Sequence, residues 1–372
     1  MNKKFWATTF TLSGTTIGAG ILGLPYVFAK SGFLAGLFWL IALGAVMIFV
    51  NLSLGEITLR TRGRHQLSGY AEKYLGKTGK KLMFFTVIFG VYSALLAYLV
   101  GEGDSFAQLI PGNTPPVFFG IAFWIIMTLL LTKGLSELKK VETYGVLAII
   151  AIVVGIFIWY VPQINPSNLI KINPPNFAVP IGVVLFALLG FTSIPELRKE
   201  IRGQEKLFKK AIFLGTLIPI ILYILFSAIF IGIQGNSITQ VATLSFGGPM
   251  MTILGIFTMM TSYFVLAYSL KATYKYDLQT SHRNNFIFSA IVPLALYLII
   301  AQFNLLSFAS ILGIGGVISG GLTGILILII AKRAKSKTRN KKAPEIRMPI
   351  SWPIIIILST IFIAGIILEF IY

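Results

Sequence analysis

Apolar residues along the chain gather into eleven stretches, at about 5–29, 33–59, 80–101, 116–133, 142–161, 177–195, 208–233, 246–270, 285–301, 305–331 and 350–371. Each lies near the roughly 17–25 residues that a helix needs to cross a bilayer. Basic residues fall in or beside the gaps. The pattern predicts an all-α polytopic membrane protein with eleven transmembrane helices, built as a single domain over 1–372 with its termini on opposite sides. One gap has a periodicity of its own. Between Arg60 and Lys81, the residues Leu67, Tyr70, Ala71, Tyr74 and Leu75 recur at helical spacing among charges, as in a short amphipathic helix lying on the membrane surface.

Charge sets the orientation. The gaps that share a side with the N-terminus hold 29 of the 31 Lys and Arg residues, leaving Lys30 and Lys171 opposite. The positive-inside rule then predicts a cytoplasmic N-terminus and an outer C-terminus, in the plasma membrane. The gap 162–176, rich in proline and asparagine, divides the chain into two runs of five segments, 5–161 and 177–333, with 350–371 as an extra helix. Five is odd, so the second run enters from the opposite side. This five-plus-five inverted repeat is an arrangement common among secondary transporters.

Two segments are interrupted. The first contains Gly14-Thr15-Thr16-Ile17-Gly18-Ala19-Gly20, with three glycines in seven residues, and Pro25 follows. The sixth contains Leu189-Gly190-Phe191-Thr192-Ser193-Ile194-Pro195, and Pro195 is expected to open backbone carbonyls there. A single glycine in a membrane helix more often serves close packing. Paired breaks at matching places in two halves point instead to a midplane binding site, because open backbone is tolerated in a bilayer only against protein, water or ligand.

Composition narrows the class. Hydrophobic residues make up 56% of the 372 and charged residues 12%, with a mean hydropathy of +0.85. The net charge of +19 is spread over short gaps and forms no soluble basic face for nucleic acid. A signal peptide is not expected in Met1–Ala29, which is too long and lacks a small-residue cleavage site. No cysteine occurs, both histidines (His65 and His282) fall in basic gaps, and no pair of midplane carboxylates is present, so an intramembrane enzyme is not expected. The full G-x-x-x-x-G-K-[ST] phosphate-loop pattern is absent, since Gly76-Lys77-Thr78 follows Ala71 where the first glycine would stand. A channel would need a sustained polar stripe, which no segment has.

The stretches Gly14-Thr15-Thr16-Ile17-Gly18-Ala19-Gly20-Ile21-Leu22-Gly23-Leu24-Pro25 and Gly190-Phe191-Thr192-Ser193-Ile194-Pro195-Glu196-Leu197 resemble the amino acid/auxin permease family and the related hydroxy and aromatic amino acid permeases. These belong to the amino acid-polyamine-organocation superfamily. Further support comes from Glu56, from Tyr70-Ala71-Glu72-Lys73-Tyr74-Leu75-Gly76, from Ala97-Tyr98 with Gly101 and Gly103, and from Thr261-Ser262-Tyr263-Phe264. The acidic residue that bacterial relatives carry at the inner end of the eighth helix has only Asp277 as a counterpart, poorly placed. The resemblance implies the inverted-repeat fold of the bacterial leucine transporter, with helices 1 and 6 broken around an amino acid.

An amino acid brings three groups that need different partners. Its carboxylate suits the N–H groups near Gly18, Ala19 and Gly20, at the positive end of the second half of helix 1. Its ammonium suits carbonyls around Thr15, Thr16 and Leu189, with Gly190 and Thr192 completing the second break. Phe186, Phe191 and one of Tyr92 or Tyr98 would wall the side-chain pocket. For coupling, the resemblance offers two choices. In one, Thr258, Thr261 and Ser262 join the carbonyls of Gly14 and Ile17 in a sodium cage. In the other, a proton rides on Glu56, Glu102, Asp104 or Glu142. The expected partners are an L-amino acid, neutral or aromatic, and membrane lipid, with no organic cofactor. An amine would instead favour a membrane carboxylate or an aromatic cage.

Overall fold

The computed structural model describes residues 3–63, 65–132, 138–276, 281–337 and 344–371, without side-chain detail at 132, 138–146 and 276. Glu142 therefore lies outside the described side chains and Asp277 outside the described residues. All regular structure among the described residues is helical. The main helices are α1 (Lys3–Thr16), α2 (Gly20–Ser31), α3 (Phe33–Arg60), α4 (Leu67–Leu109), α5 (Pro116–Thr132), α6 (Leu138–Tyr160) and α7 (Pro180–Ala187). They continue as α8 (Ile194–Glu200), α9 (Phe208–Gln234), α10 (Gly248–Tyr276), α11 (His282–Phe303), α12 (Phe308–Lys337) and α13 (Trp352–Glu369).

Among the described residues, eight helical stretches are long and apolar enough to cross a membrane, counting α7 and α8 over Pro180–Glu200 as one, or nine if the bent pair α1–α2 counts as a further span. Two shorter apolar helices, Pro116–Leu131 and Leu147–Gln163, stand where the fourth and fifth segments are expected. The basic ends of the helices gather on one face, where Lys4 Nζ donates to the Arg202 carbonyl at 2.8 Å and Lys337 Nζ to the Lys73 carbonyl at 3.4 Å. On the opposite face the Asn173 and Asn176 amides donate to the Lys30 carbonyl at 3.0 and 3.4 Å.

Both expected interruptions are present. Helices α1 and α2 meet at Ile17–Ala19 with a bend of 56°. Helix α7 stops at Ala187, and after Leu188–Gly190 the chain resumes as a turn of 3-10 helix leading into α8. Pro195 has a different role from the expected one. It lies in the first turn of α8, where a missing N–H costs nothing because first-turn donors have no intrahelical partner. The break thus precedes the proline and is set by Leu188–Gly190.

A helix also forms in the gap between Arg60 and Lys81, with its apolar face packed into the protein. Leu67, Tyr70, Ala71 and Tyr74 are buried, while Glu72 and Lys73 face out. Its end is marked by Gly76 at φ 80°, ψ −169°, a conformation that favours glycine, and the chain then turns into the membrane part of α4. Between α12 and α13, residues 344–350 form an extended strap across the basic face in which Ile346, Met348 and Ile350 are buried and Glu345 and Arg347 exposed, the period-two pattern of a half-buried extended segment.

The helices pack in two groups. Helix α9 lies against α1, α2, α3 and α6, and α7 against α2 and α3. Helix α10 lies against α4, α5 and α11. Helix α12 bridges the groups, touching α3 and α7 on one side and α4 on the other. Its contact with α4 is made through small and hydroxyl side chains, with Thr323 Oγ1 donating to Thr86 Oγ1 at 2.9 Å. Helix α13 ends in Glu369, whose carboxylate accepts from the Gly182 N–H in the first turn of α7. That is a favourable place for negative charge at a helix N-terminus.

Candidate functional site

A cavity of about 530 Å³ joins the two breaks. Its walls come from Thr15, Thr16, Gly18 and Gly20 at the first break, from Phe186, Leu189, Phe191 and Thr192 at the second, and from Tyr98 on α4. It widens between the helix groups past Ala94, Val87 and Phe84 on one side and Leu266, Ser269 and Thr273 on the other, with Ser68, Ser193 and Glu196 toward the basic face. A second cavity of about 600 Å³ lies on that face away from both breaks, lined by His65, Arg198, Lys199, Arg202 and Glu205. Its Arg198 is already committed, donating to the carbonyls of Thr58 and Thr61.

The first break is stabilised from α4. The Ala19 N–H donates to Tyr98 Oη at 3.3 Å, and Ser262 hydrogen-bonds the same phenol. Tyr98 is 2% exposed, and its ring meets Tyr263 edge-on at 6.4 Å. A Cβ on Gly18 would stand 2.9 Å from the phenol oxygen, so Gly18 lets Tyr98 reach the backbone. A Cβ on Gly20 would fall 2.5 Å from Ala187 Cα, so Gly20 joins the two breaks by close packing as well as facing the cavity. Gly190 likewise sits directly against the Thr16 hydroxyl and Leu12.

Most hydroxyls near the break bond their own helix. Thr15 Oγ1 donates to the Thr11 carbonyl at 2.8 Å and Thr16 Oγ1 to the Leu12 carbonyl at 2.8 Å. Thr258 Oγ1 does the same to Leu254 at 2.8 Å, and Thr261 Oγ1 to Phe257 at 3.0 Å. Ser262 faces Tyr98, and the Ile17 N–H closes the last turn of α1 on the Ser13 carbonyl at 2.9 Å.

Of the two candidate tyrosines, Tyr98 is at the break. Tyr92 is excluded from the pocket wall because its hydroxyl donates to the Phe288 carbonyl at 2.7 Å and pairs with Tyr274 Oη at 2.9 Å, on the far side toward α10 and α11. The carboxylates also separate. Glu56, 1% exposed, pairs with Arg60 at 2.7 Å and Lys335 at 3.6 Å and accepts from the Met348 N–H at 2.7 Å, so it anchors the strap. Asp104 is half-buried. Glu102 is fully buried one helical turn beyond Tyr98, and neither of its carboxyl oxygens has a hydrogen-bond partner among the described residues.

Tyr223 on α9, fully buried and outside the cavity lining, bridges the two breaks and was not singled out from the sequence. Its hydroxyl lies 2.9 Å from the Thr16 carbonyl and 2.8 Å from the Ala187 carbonyl, the last residues of α1 and α7. One side chain thus touches both breaks. The only sequence signal was a lone tyrosine one turn after Pro219 in a helix whose other aromatic residues are all phenylalanine.

Two broken membrane helices that meet at a cavity between two packed helix groups define a carrier-like membrane protein. Comparison with known proteins gives the family: over residues 1–369 the chain matches the tryptophan/tyrosine permease family, and it belongs to that family of amino acid transporters. It is 30% identical to the tyrosine-specific transport system 1 of Haemophilus influenzae over 231 residues, which is 60% of this chain and 56% of that protein. It is 24% identical to glutamine transporter 2 of Aliivibrio fischeri over 369 residues, covering 93% and 92% of the two chains. The fold is shared with MhsT, solved in complex with L-phenylalanine, at a TM-score of 0.68 and 15% identity over 98% of this chain and 97% of that one.

Proposed function

We propose that the protein is a cation-coupled secondary transporter that moves a neutral or aromatic L-amino acid by alternating access. The observation that carries this reading is the meeting of both helix breaks at one cavity, which brings the carbonyl end of α1, the N-terminal backbone of α2 and an aromatic wall of Tyr98, Phe186 and Phe191 together. A zwitterion fits this set without a fixed counter-charge. Its carboxylate faces the start of α2, its ammonium faces the carbonyls at the ends of α1 and α7, and its side chain lies among the rings. The named relatives, a tyrosine-specific system and a glutamine transporter, fit the same substrate class.

In this reading the chain has eleven spans in a five-plus-five inverted repeat, lies in the plasma membrane with its basic face cytoplasmic, and rocks one helix group against the other around the cavity. The coupling ion is a proton in preference to sodium. One observation favours it: Glu102 is buried one helical turn from Tyr98, and its carboxyl oxygens have no hydrogen-bond partner among the described residues. The experiment is a thermal-shift panel of L-amino acids on the purified protein, in sodium, in potassium and across a pH series. A ligand that binds only the folded state raises its apparent stability. Stabilisation by neutral or aromatic amino acids, indifferent to sodium and dependent on pH, is expected. Stabilisation by amines alone would replace the substrate class, and a sodium requirement would replace the ion.

A further inference from the structure

The carbonyls that end a helix have no partner within it and carry the negative end of its dipole. At this site two such ends, Thr16 and Ala187, converge on a single hydroxyl, that of Tyr223, which is fully buried. A phenol has one hydrogen to give, so the two carbonyls share it. The Thr16 hydroxyl cannot help, because it is spent on Leu12.

Helix α9 is built to hold this position. Pro219, one turn before Tyr223, has no N–H, which frees the Gly215 carbonyl, and Ser13 Oγ donates to that carbonyl at 3.0 Å. A Cβ on Gly215 would stand 2.8 Å from Leu12 Cβ and 2.9 Å from the Thr9 carbonyl, so α9 and α1 are in backbone contact. Tyr223 therefore travels with α1 and reaches across to the end of α7.

We propose that the Tyr223 hydroxyl is a positioning group that substitutes for the substrate's ammonium during the return step of the transport cycle. An ammonium carries a charge and three N–H donors, and it satisfies converging carbonyls better than one phenol does. While an amino acid is bound, its ammonium and Tyr223 share the two ends. While the carrier returns without substrate, Tyr223 alone keeps the ends of α1 and α7 from standing open to one another. The inference rests on the transporter reading above and specifies what the second break needs in order to reset.

The test is Tyr223→Phe in proteoliposomes, with radiolabelled L-tyrosine, L-phenylalanine and L-glutamine as probes. Net uptake requires the unloaded return; exchange against internal amino acid does not. Net uptake is expected to fall by about tenfold or more, the scale of one lost buried hydrogen bond, while exchange stays within about twofold of wild type. In thermal shift, the gain in stability given by the transported amino acid should be larger in the variant than in wild type, because the ligand then supplies the missing donor. Ser13→Ala removes a bond between the same two helices away from the breaks and should leave the ratio of uptake to exchange unchanged. Equal loss of uptake and exchange in Tyr223→Phe, through misfolding or otherwise, overturns the proposal, as does an unchanged ratio. Failure of wild type to move any of the three probes overturns the transporter reading instead, so the two failures are distinguishable.

Discussion

Gly20→Ala tests the geometry of the site with one methyl group. The added Cβ would lie 2.5 Å from Ala187 Cα, 2.6 Å from its Cβ and 3.1 Å from its backbone nitrogen. Optimal carbon–carbon contact is about 3.5–4.0 Å, so the start of α2 and the end of α7 must separate by about 1 Å. Two of the three obstructing atoms are backbone, and no rotamer change relieves the clash. Overpacking of this kind costs about 1–3 kcal/mol, and a displacement of about 1 Å at a binding centre has been worth about a hundredfold in rate elsewhere. Gly18→Ala is the internal control: its Cβ would meet only the terminal oxygen of Tyr98, at 2.9 Å, and a side-chain end can give by a few tenths of an ångström. Uptake of L-tyrosine into proteoliposomes, normalised to protein inserted, should fall by about tenfold to a hundredfold in Gly20→Ala and by about threefold or less in Gly18→Ala. Normal uptake by Gly20→Ala would refute the close junction of the two breaks. Equal loss in both would show that backbone freedom, and not the Ala187 contact, governs the site.

Other consequences follow from single contacts. Tyr98→Phe removes the acceptor for the Ala19 N–H and should raise the half-saturating amino acid concentration by about two- to tenfold with little change in maximal rate. Glu102→Gln should abolish accumulation driven by a pH gradient while leaving exchange intact; accumulation at the wild-type level would remove Glu102 from the coupling path. Glu56→Gln leaves Arg60, Lys335 and the strap without their shared anion and should lower thermal stability, by about 1–3 kcal/mol since both partners are partly exposed, without shifting the ion dependence of transport. Thr258→Ala with Thr261→Ala should leave the response to sodium unchanged, and a raised sodium requirement would establish a sodium cage there in place of the proton.

The positions of the breaks were legible because glycine clusters in an apolar run are costly unless the chain needs them. The helix that starts at Leu67 was legible from Leu67, Tyr70 and Tyr74, whose spacing matched the buried face. Pro195 misled because proline is a breaker inside a helix and a starter in its first turn, and sequence spacing does not say which applies. Tyr92 and Tyr98 were indistinguishable along the chain; they lie six residues apart, and only their partners on other helices, Phe288 against Ala19, separate them. Glu56 looked like a membrane acid until the strap from 344–350 supplied the Met348 N–H. Tyr223 was missed for the same reason: its role lies in two carbonyls 207 and 36 residues away in sequence.

The absence of cysteine from the chain permits the most direct test of the central claim, that an amino acid binds where the breaks meet. Single cysteines are introduced as Leu189→Cys and Thr192→Cys at the second break, and as Ser68→Cys and Thr273→Cys toward the basic face. Their alkylation rates by a small maleimide are then measured with and without saturating L-tyrosine, L-phenylalanine or L-glutamine. The account predicts that the transported amino acid slows labelling at 189 and 192 by about tenfold or more and leaves Ser68→Cys and Thr273→Cys labelling freely. Equal labelling at 189 and 192 with and without an amino acid that the same variants demonstrably transport would place the binding site elsewhere and contradict the account.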